Sequence, residues 1–272
     1  MMALRPPTAA RAPLRGRTRH ATSTAQWGPE HDAALAQGAA AMGVRLDPAQ
    51  LTQLGRFARL LLKWNRTFNL LGTDDPRAVL DSHLLDSLAV IPALERWLPP
   101  DAAPLVDVGA GAGLPGIPIA ILQPERTVVL VEPVGKKAAF LRQAAAECRL
   151  ASVTIRETRL ERLTAGEIGA PSIAVARDST QATAHFISRA VTSLTGFARL
   201  CAPLATADSR VMAMKAARVA EEVAALRDAL PDVRVVAVEP LAIPGQTVRR
   251  NLVVMQLPSR APAGRVTTTS SS

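Results

Sequence analysis

The 272-residue chain reads as an α/β fold: a mostly parallel, seven-stranded sheet entered through an N-terminal helical extension. Three observations carry that reading. From Pro104 onward, short β-branched runs alternate with helix-length segments, the βαβα order of a parallel sheet covered on both faces. The stretch Leu105-Val-Asp-Val-Gly-Ala-Gly-Ala-Gly-Leu-Pro-Gly116 runs from a buried-type strand through a glycine turn into a helix start. The last two strand-like runs are joined by a Pro/Gly loop too short for a helix, so they are expected to be antiparallel, leaving one reversed strand at the end.

Taken in order, residues 1–29 are rich in Ala, Arg, Pro and Thr without apolar periodicity and are expected to be a disordered basic tail. Their arginine-rich, acid-free composition resembles an organelle transit peptide; a solvated tail is the plainer reading, and the apolar centre of a secretory signal is missing. Residues 30–100 read as a helical region. Leu54, Phe57, Leu61, Trp64 and Phe68 recur at spacings of 3, 4, 3 and 4, one face of a helix. Arg56, Arg59, Lys63 and Arg66 fall on roughly the opposite face, open to solvent or to phosphate; such a charged face is ordinarily only solvated. A second helix, Pro76–Leu94, carries Asp81, His83 and Asp86 among leucines. A lone histidine in such a setting is more often a hydrogen-bonded structural residue than a ligand or base.

Residues 101–258 form the α/β domain. Its strands are expected at Leu105–Val108, Thr127–Glu132, Val153–Arg156, Ala184–Ile187, Arg210–Lys215, Val233–Glu239 and Asn251–Gln256. Helices are expected at Ile117–Leu122, Gly135 to about Leu150, Val191–Cys201 and Arg218–Leu230. Residues 164–183 interrupt the alternation and are expected to be an insertion, whose run Ser172–Arg177 fits a strand or part of that insertion. Residues 259–272 form a second disordered tail.

The glycine stretch is the chemical centre. Gly109, Gly111, Gly113 and Gly116 let the backbone turn tightly and approach a ligand, and the following helix start presents free N–H groups and a positive dipole end. Glu132 ends the next strand, 23 residues after Gly109, where a carboxylate can hold a ribose diol. The local reading is therefore a ribose-bearing cofactor, against a plain glycine-rich turn with a solvated glutamate.

Composition narrows the classes. Hydrophobic content of 48% suits a globular core, and no apolar run approaches the roughly 20 residues of a membrane span, so a soluble protein with no membrane partner is expected. Cys148 and Cys201 lie far apart, which suits a reducing compartment and offers neither a disulfide framework nor a metal site. Of the net charge of +9, five arginines lie in residues 1–29 and two in 259–272, with no acid in either, so only +2 falls on residues 30–258. The charge alone does not establish a nucleic-acid partner.

A parallel sheet ending in one reversed strand is the outline of a class I, Rossmann-like S-adenosylmethionine-dependent methyltransferase. More specifically, the chain resembles the bacterial guanine-N7 methyltransferases of small-subunit ribosomal RNA, the RsmG (formerly GidB) family. The resemblance runs from about Leu60 to Leu257. It rests on Leu62-Lys-Trp-Asn65 with Asn69-Leu70, Asp75-Pro76, His83-Leu-Leu-Asp-Ser87 and Asp107 to Pro118. Further on it rests on Gly135-Lys136 with Phe140-Leu-Arg142, Ser188-Arg-Ala-Val-Thr-Ser-Leu194, Met214-Lys215 and Arg250-Asn-Leu-Val-Val254. Three features depart from the pattern: the stretch from Glu161 to Ser188 is longer, Ala216 follows Lys215 where glycine is usual, and Asn251 replaces a frequent histidine.

The resemblance implies S-adenosylmethionine as cofactor and a guanine of 16S rRNA in the 30S subunit as acceptor, in a cytoplasmic protein expected to be a monomer without metal. Gly109, Gly111, Gly113 and Leu114 would line the cofactor path, Glu132 would hold the ribose, and Leu160 and Glu161 would flank the adenine. Arg189 would sit beside the methionine carboxylate or the substrate. Lys136, Lys215 and Arg250, with the four cations of the Arg56–Arg66 face, would meet RNA. No catalytic base is expected, because guanine N7 has a lone pair and no proton to lose; positioning and charge stabilisation suffice. Two other readings remain. Gly111-Ala-Gly-Leu-Pro-Gly116 matches a dinucleotide fingerprint, which would make the chain an NAD-dependent oxidoreductase. A non-catalytic rRNA-binding assembly factor could also retain the fold.

Overall fold

The computed structural model describes residues 26–98, 103–169, 183–189, 193–216, 218–247 and 249–258. Most of the proposed insertion, including Ser172–Arg177, lies outside them, as do residues 1–25 of the basic tail and all of residues 259–272.

The chain begins with α1 (Pro29–Ala41) and α2 (Pro48–Phe68). Helix α2 starts where Asp47 accepts from the Gln50 amide at 2.8 Å while the Gln50 side chain accepts from the Asp47 amide at 3.0 Å. This reciprocal cap, with Pro48 in the first turn, satisfies two otherwise orphaned donors. The helix stops at Asn69, which adopts a left-handed conformation (φ 50°). Its apolar face buries Leu54, Phe57 and Leu61 completely. Phe57 and Trp64 pack against Phe140 at ring distances of 6.2 and 5.6 Å.

The next segment differs from the single helix expected over Pro76–Leu94. It comprises α3 (Pro76–Val79), a π-helical stretch (Leu80–Leu84), α4 (Leu85–Leu88) and, after a break, α5 (Ile91–Trp97). Pro92 sits in the first turn of α5, where it lacks an amide to continue the preceding helix. The π turn admits an extra residue per turn and re-aims the side chains around it.

The sheet comprises β1 (Leu105–Val108), β2 (Val128–Val131), β3 (Val153–Arg156), β4 (His185–Ser188), β5 (Val211–Lys215), β6 (Arg234–Leu241) and β7 (Arg250–Gln256). Its helices are α6 (Gly116–Leu122), α7 (Gly135–Glu147), α8 (Ala165–Gly169), α9 (Leu194–Cys201) and α10 (Val219–Ala229). The strand order is β3-β2-β1-β4-β5-β7-β6, parallel except for β7, which runs antiparallel to both β5 and β6. The reversed last strand is as expected; its insertion between β5 and β6 is what the sheet itself adds.

Alternation along the strands assigns the two faces. Leu105, Val128, Leu130, Ile187 and Met212 join the core shared with α1, α2, α6 and α7. Val106, Val108, Val129, Val131, Phe186 and Val211 join the core that holds α9 and α10. The N-terminal helices are thus packed into the same core as the sheet. Trp27, placed in the disordered tail by the sequence reading, is 4% exposed and its indole donates to Asp32 at 2.7 Å. A large aromatic with a polar handle gains burial there and keeps its hydrogen bond, so the ordered chain begins before residue 29.

Phe140 is the shared contact of α2 and α7 and is fully buried. Phe140→Ala should lower unfolding free energy by about 3–5 kcal/mol, read as a shift of the urea midpoint.

Candidate active site

The strand order reverses beside β1. From β1 the chain steps to β2 and β3 on one side, then crosses to β4 on the other, so β1 pairs with both β2 and β4. Loops leaving β1 and β4 diverge, and the crevice outside their carboxyl ends is where open α/β sheets bind ligands. The glycine turn occupies that crevice. Gly109 and Ala110 donate to the Val131 carbonyl at 2.9 and 3.1 Å, carrying the turn along the edge of β2. Gly109 and Gly111 have φ of 70° and 56°, a region costly for residues with a Cβ. A Cβ at Gly109 would meet nothing within 4 Å, so the backbone faces open space.

Glu132 and Arg189 flank this turn. Glu132 is 4% exposed; its Oε2 accepts from Gly111 N at 2.9 Å and its Oε1 from Val134 N at 2.9 Å. Each carboxylate oxygen retains a second acceptor site, the arrangement a ribose diol needs. Arg189 follows Ser188, whose hydroxyl donates to the Val108 carbonyl at 2.8 Å and so ties the end of β4 to β1. The turn and the Glu132 carboxylate can take the sugar of an S-adenosylmethionine-type ligand, and Arg189 follows β4 at the same end of the sheet, its guanidinium turned to Ser82, His83 and Asp86.

The other expected residues are distributed as follows. Gly113 lies under Ile117 and Leu141, where an added Cβ would come within 2.7 Å of Ile117, so its role is close packing of the turn. Leu114 is buried in the core beneath α2 and α6. Leu160 begins a short 3-10 turn after β3 and is buried in the opposite core, whereas Glu161 beside it is exposed. Lys136 is exposed in the first turn of α7. Arg56, Lys63 and Arg66 are exposed along α2, and Arg59 is paired with Asp32 at 3.8 Å.

Two expected RNA contacts are internally anchored. Lys215 lies 3.0 Å from Glu222, whose carboxylate also accepts from Leu194 N at 3.0 Å. Arg250 donates through Nε to Asp86 Oδ1 at 2.9 Å.

Helix α2 lies antiparallel to α7. Gln53 near its start donates to the Cys148 carbonyl at the end of α7, and Trp64 near its end donates to Gln143. Because α7 starts after the carboxyl end of β2, the end of α2 that carries Trp64 is directed toward that end of the sheet.

Asp107 and Asp86 received no role from the sequence. Asp107 is 1% exposed on β1 and caps α6 by accepting from Gly116 N at 2.9 Å. Burial raises its pKa to about 7, against the lowering effects of that amide and of Arg189. Asp86 is 3% exposed as a residue and pairs with both Arg189 and Arg250. The available signal was His83-Leu-Leu-Asp86, an i, i+3 pair on a leucine-rich helix. His83 is held neutral: burial first, then the Arg189 charge, lower its pKa to about 4. Its Nδ1 lies 3.2 Å from both terminal nitrogens of Arg189 and accepts from them. Both cysteines are buried; burial pushes the Cys148 thiol up to about 11 and the Cys201 thiol well above its ordinary range, which disqualifies them as nucleophiles.

These shifts set an acid response. His83 and His185 both fall from 6.5 to about 4 on folding, so each contributes stability complete above pH 6.5 and lost as pH falls toward 4. Asp107, raised from 3.8 to about 7, acts oppositely: its contribution is complete below 3.8 and lost as pH rises through 7. His83→Asn, with an amide oxygen in place of Nδ1, should flatten the decline of unfolding free energy between pH 6.5 and 4 by about one proton's worth, read from urea melts across that range.

The model of the family described as rRNA small subunit methyltransferase G matches residues 50–253. The chain is 39% identical over 228 residues to the Ribosomal RNA small subunit methyltransferase G of Leptothrix cholodnii, covering 84% of this chain and 96% of that one. The protein of the same name from Pseudomonas paraeruginosa is 37% identical over 229 residues, covering 83% and 95%. Among solved structures, a mutant of MtNAS in complex with S-adenosylmethionine superposes with a TM-score of 0.46 at 16% identity, over 85% of this chain and 80% of that one. The ribosomal protein L11 methylase of Lactobacillus delbrueckii subsp. bulgaricus superposes at 0.44 and 12% identity, over 63% and 78%. By its match across most of its length, the chain belongs to the rRNA small subunit methyltransferase G family.

Proposed function

We propose that this protein transfers a methyl group from S-adenosylmethionine to N7 of a guanine in the 16S rRNA of the small ribosomal subunit. What supports it is the glycine turn held to the Glu132 carboxylate at the reversal of strand order, in a chain of this family. S-adenosylmethionine, when bound, supplies an electrophilic methyl on a sulfonium.

The residues of the chain do the rest. Glu132 takes the ribose hydroxyls while the Gly111 and Val134 amides hold its carboxylate in place. Gly109 lets the backbone lie against the ligand. Arg189 offers a cation beside the turn for the methionine carboxylate or the acceptor guanine. Guanine N7 attacks through its own lone pair, the electron pair of the broken carbon–sulfur bond stays on sulfur, and no proton is transferred. A site without a base therefore suffices, in keeping with a neutral His83 that serves as a hydrogen-bond acceptor for Arg189 and with two inert, buried cysteines. Catalysis comes from alignment and from stabilising the charge that develops on the ring.

The exposed Arg56, Lys63 and Arg66, with Arg59, form a cationic stripe along α2 and suit an RNA backbone. Such contacts position the substrate, whereas the base is chosen at the crevice.

The deciding measurement is methyl transfer from radiolabelled S-adenosylmethionine to purified 30S subunits lacking the modification, with the product base mapped by mass spectrometry. Label on one guanine at N7 is expected; cofactor binding without transfer to RNA would overturn the acceptor, and thermal protection by NADH alone would overturn the cofactor. Glu132→Ala and Arg189→Ala should each weaken cofactor binding or turnover roughly tenfold or more, since charged hydrogen bonds of this kind are worth about 1.5–3 kcal/mol. Replacing Arg56, Arg59, Lys63 and Arg66 together by glutamine should flatten the salt dependence of subunit binding; an unchanged slope would leave that face merely solvated.

A further inference from the structure

The best-buried carboxylate of the N-terminal helices sits across the ends of interior strands and is shared by two arginines, one just after β4 and one at the start of β7. Asp86 belongs to α4, immediately after the π turn, and its side chain is 4% exposed. Its Oδ2 accepts from Arg189 Nη1 at 3.2 Å and its Oδ1 from Arg250 Nε at 2.9 Å. Arg189 follows β4 and Arg250 opens β7, and β5 lies between those strands. One carboxylate thus spans the end of an intervening strand.

The neighbouring contacts restrict Arg189 further. Its Nη1 donates to the Ser82 carbonyl at 3.3 Å, and both terminal nitrogens reach His83 Nδ1. Arg250, by contrast, is taken through Nε, and among the described residues its terminal nitrogens have no hydrogen-bond partner. The loop before β7 is tied to the same helical segment, because the Gln246 side chain donates to the Asp81 carbonyl. One carboxylate between two guanidinium groups leaves the cluster net positive, suited to meet an anion rather than to neutralise itself.

We propose that Asp86 is a positioning residue that holds Arg189 and Arg250 at a fixed separation, so that the cofactor-side cation and the RNA-side cation share one anchor. This rests on the reading of the site given above. A long arginine side chain retains several rotatable bonds, and unanchored it would have to be ordered at each binding event. Asp86 orders both before either ligand arrives. The π turn contributes by aiming Ser82, His83 and Asp86 at the same guanidinium.

The test is a set of double-mutant cycles on the full chain. Asp86→Asn keeps the shape and removes the charge; it is combined with Arg189→Gln and, separately, with Arg250→Gln. Three quantities are read: the Kd of S-adenosylmethionine by calorimetry, KM and kcat for methyl transfer to unmodified 30S subunits, and the thermal midpoint. Asp86→Asn alone should raise both the cofactor Kd and the KM for the subunit roughly tenfold. In the Arg189→Gln background it should change the cofactor Kd by less than about twofold, and in the Arg250→Gln background the subunit KM by less than about twofold.

Losses that are equal in all backgrounds, or a lowered thermal midpoint with unchanged Kd and KM, would overturn the proposal. Where Asp86→Asn does not fold, Asp86→Glu takes its place: it keeps the charge on a longer stem and should raise the Kd several-fold, with the same loss of effect beside Arg189→Gln. Absence of methyl transfer by the unmodified protein would count against the proposed function alone, because the cofactor-binding cycle still reads the Asp86–Arg189 coupling.

Discussion

The reversal of strand order at β1 is the constraint on which the site depends. Parallel strands force each connection back over the sheet, and where two connections leave in opposite directions no helix covers the strand ends. The glycine turn fills that gap without closing it, since Gly109 and Gly111 adopt conformations that leave backbone rather than side chain facing outward. Glu132 and Arg189 then flank the turn because β2 and β4 are the two neighbours of β1. Acid and cation face one crevice by topology, although 57 positions separate them in the chain.

Desolvation gives this arrangement its rigidity. Burying a carboxylate is costly unless it is paired and hydrogen-bonded. Asp86 meets that cost by two arginines, Glu132 by two backbone amides, and Asp107 by one amide together with a pKa raised to about 7. Each solution fixes a different part of this end of the sheet: the two cations, the Glu132 carboxylate and the start of α6. The helices before the sheet therefore reach the carboxyl end of the parallel strands as well as the core, because they supply Asp86 and His83 to residues that arrive more than 100 positions later.

Helix α2 links packing to recognition. Its apolar face is fixed against Phe140 and the sheet, which leaves the orientation of its opposite face no freedom. The cations on that face are therefore held on a rigid support. A stripe of charge on a rigid support differs from the same charge in a tail, since its groups keep a fixed spacing.

Much of the fold was legible in the sequence because it depends on local periodicity. Leu105–Val108, Val153–Arg156 and the glycine turn are read from runs a few residues long, and the antiparallel pairing of β6 and β7 follows from a connection too short to cross over. Glu132 was legible for the same reason, as an acid at the end of a strand. The π turn was not, because leucines spaced for an α-helix do not reveal one extra residue in a turn. The burial of Trp27 was hidden by the polar, proline-rich residues around it. The pairing of Arg250 and Lys215 with carboxylates was hidden too, since a cation's partner is chosen by the fold and not by its neighbours in the chain. The sequence by itself determined most of the elements and their order and placed Glu132 at the end of β2. Only the tertiary structure decided where β7 inserts and that Asp86 lies between two arginines. Those are matters of long-range packing, for which a linear pattern carries no distance.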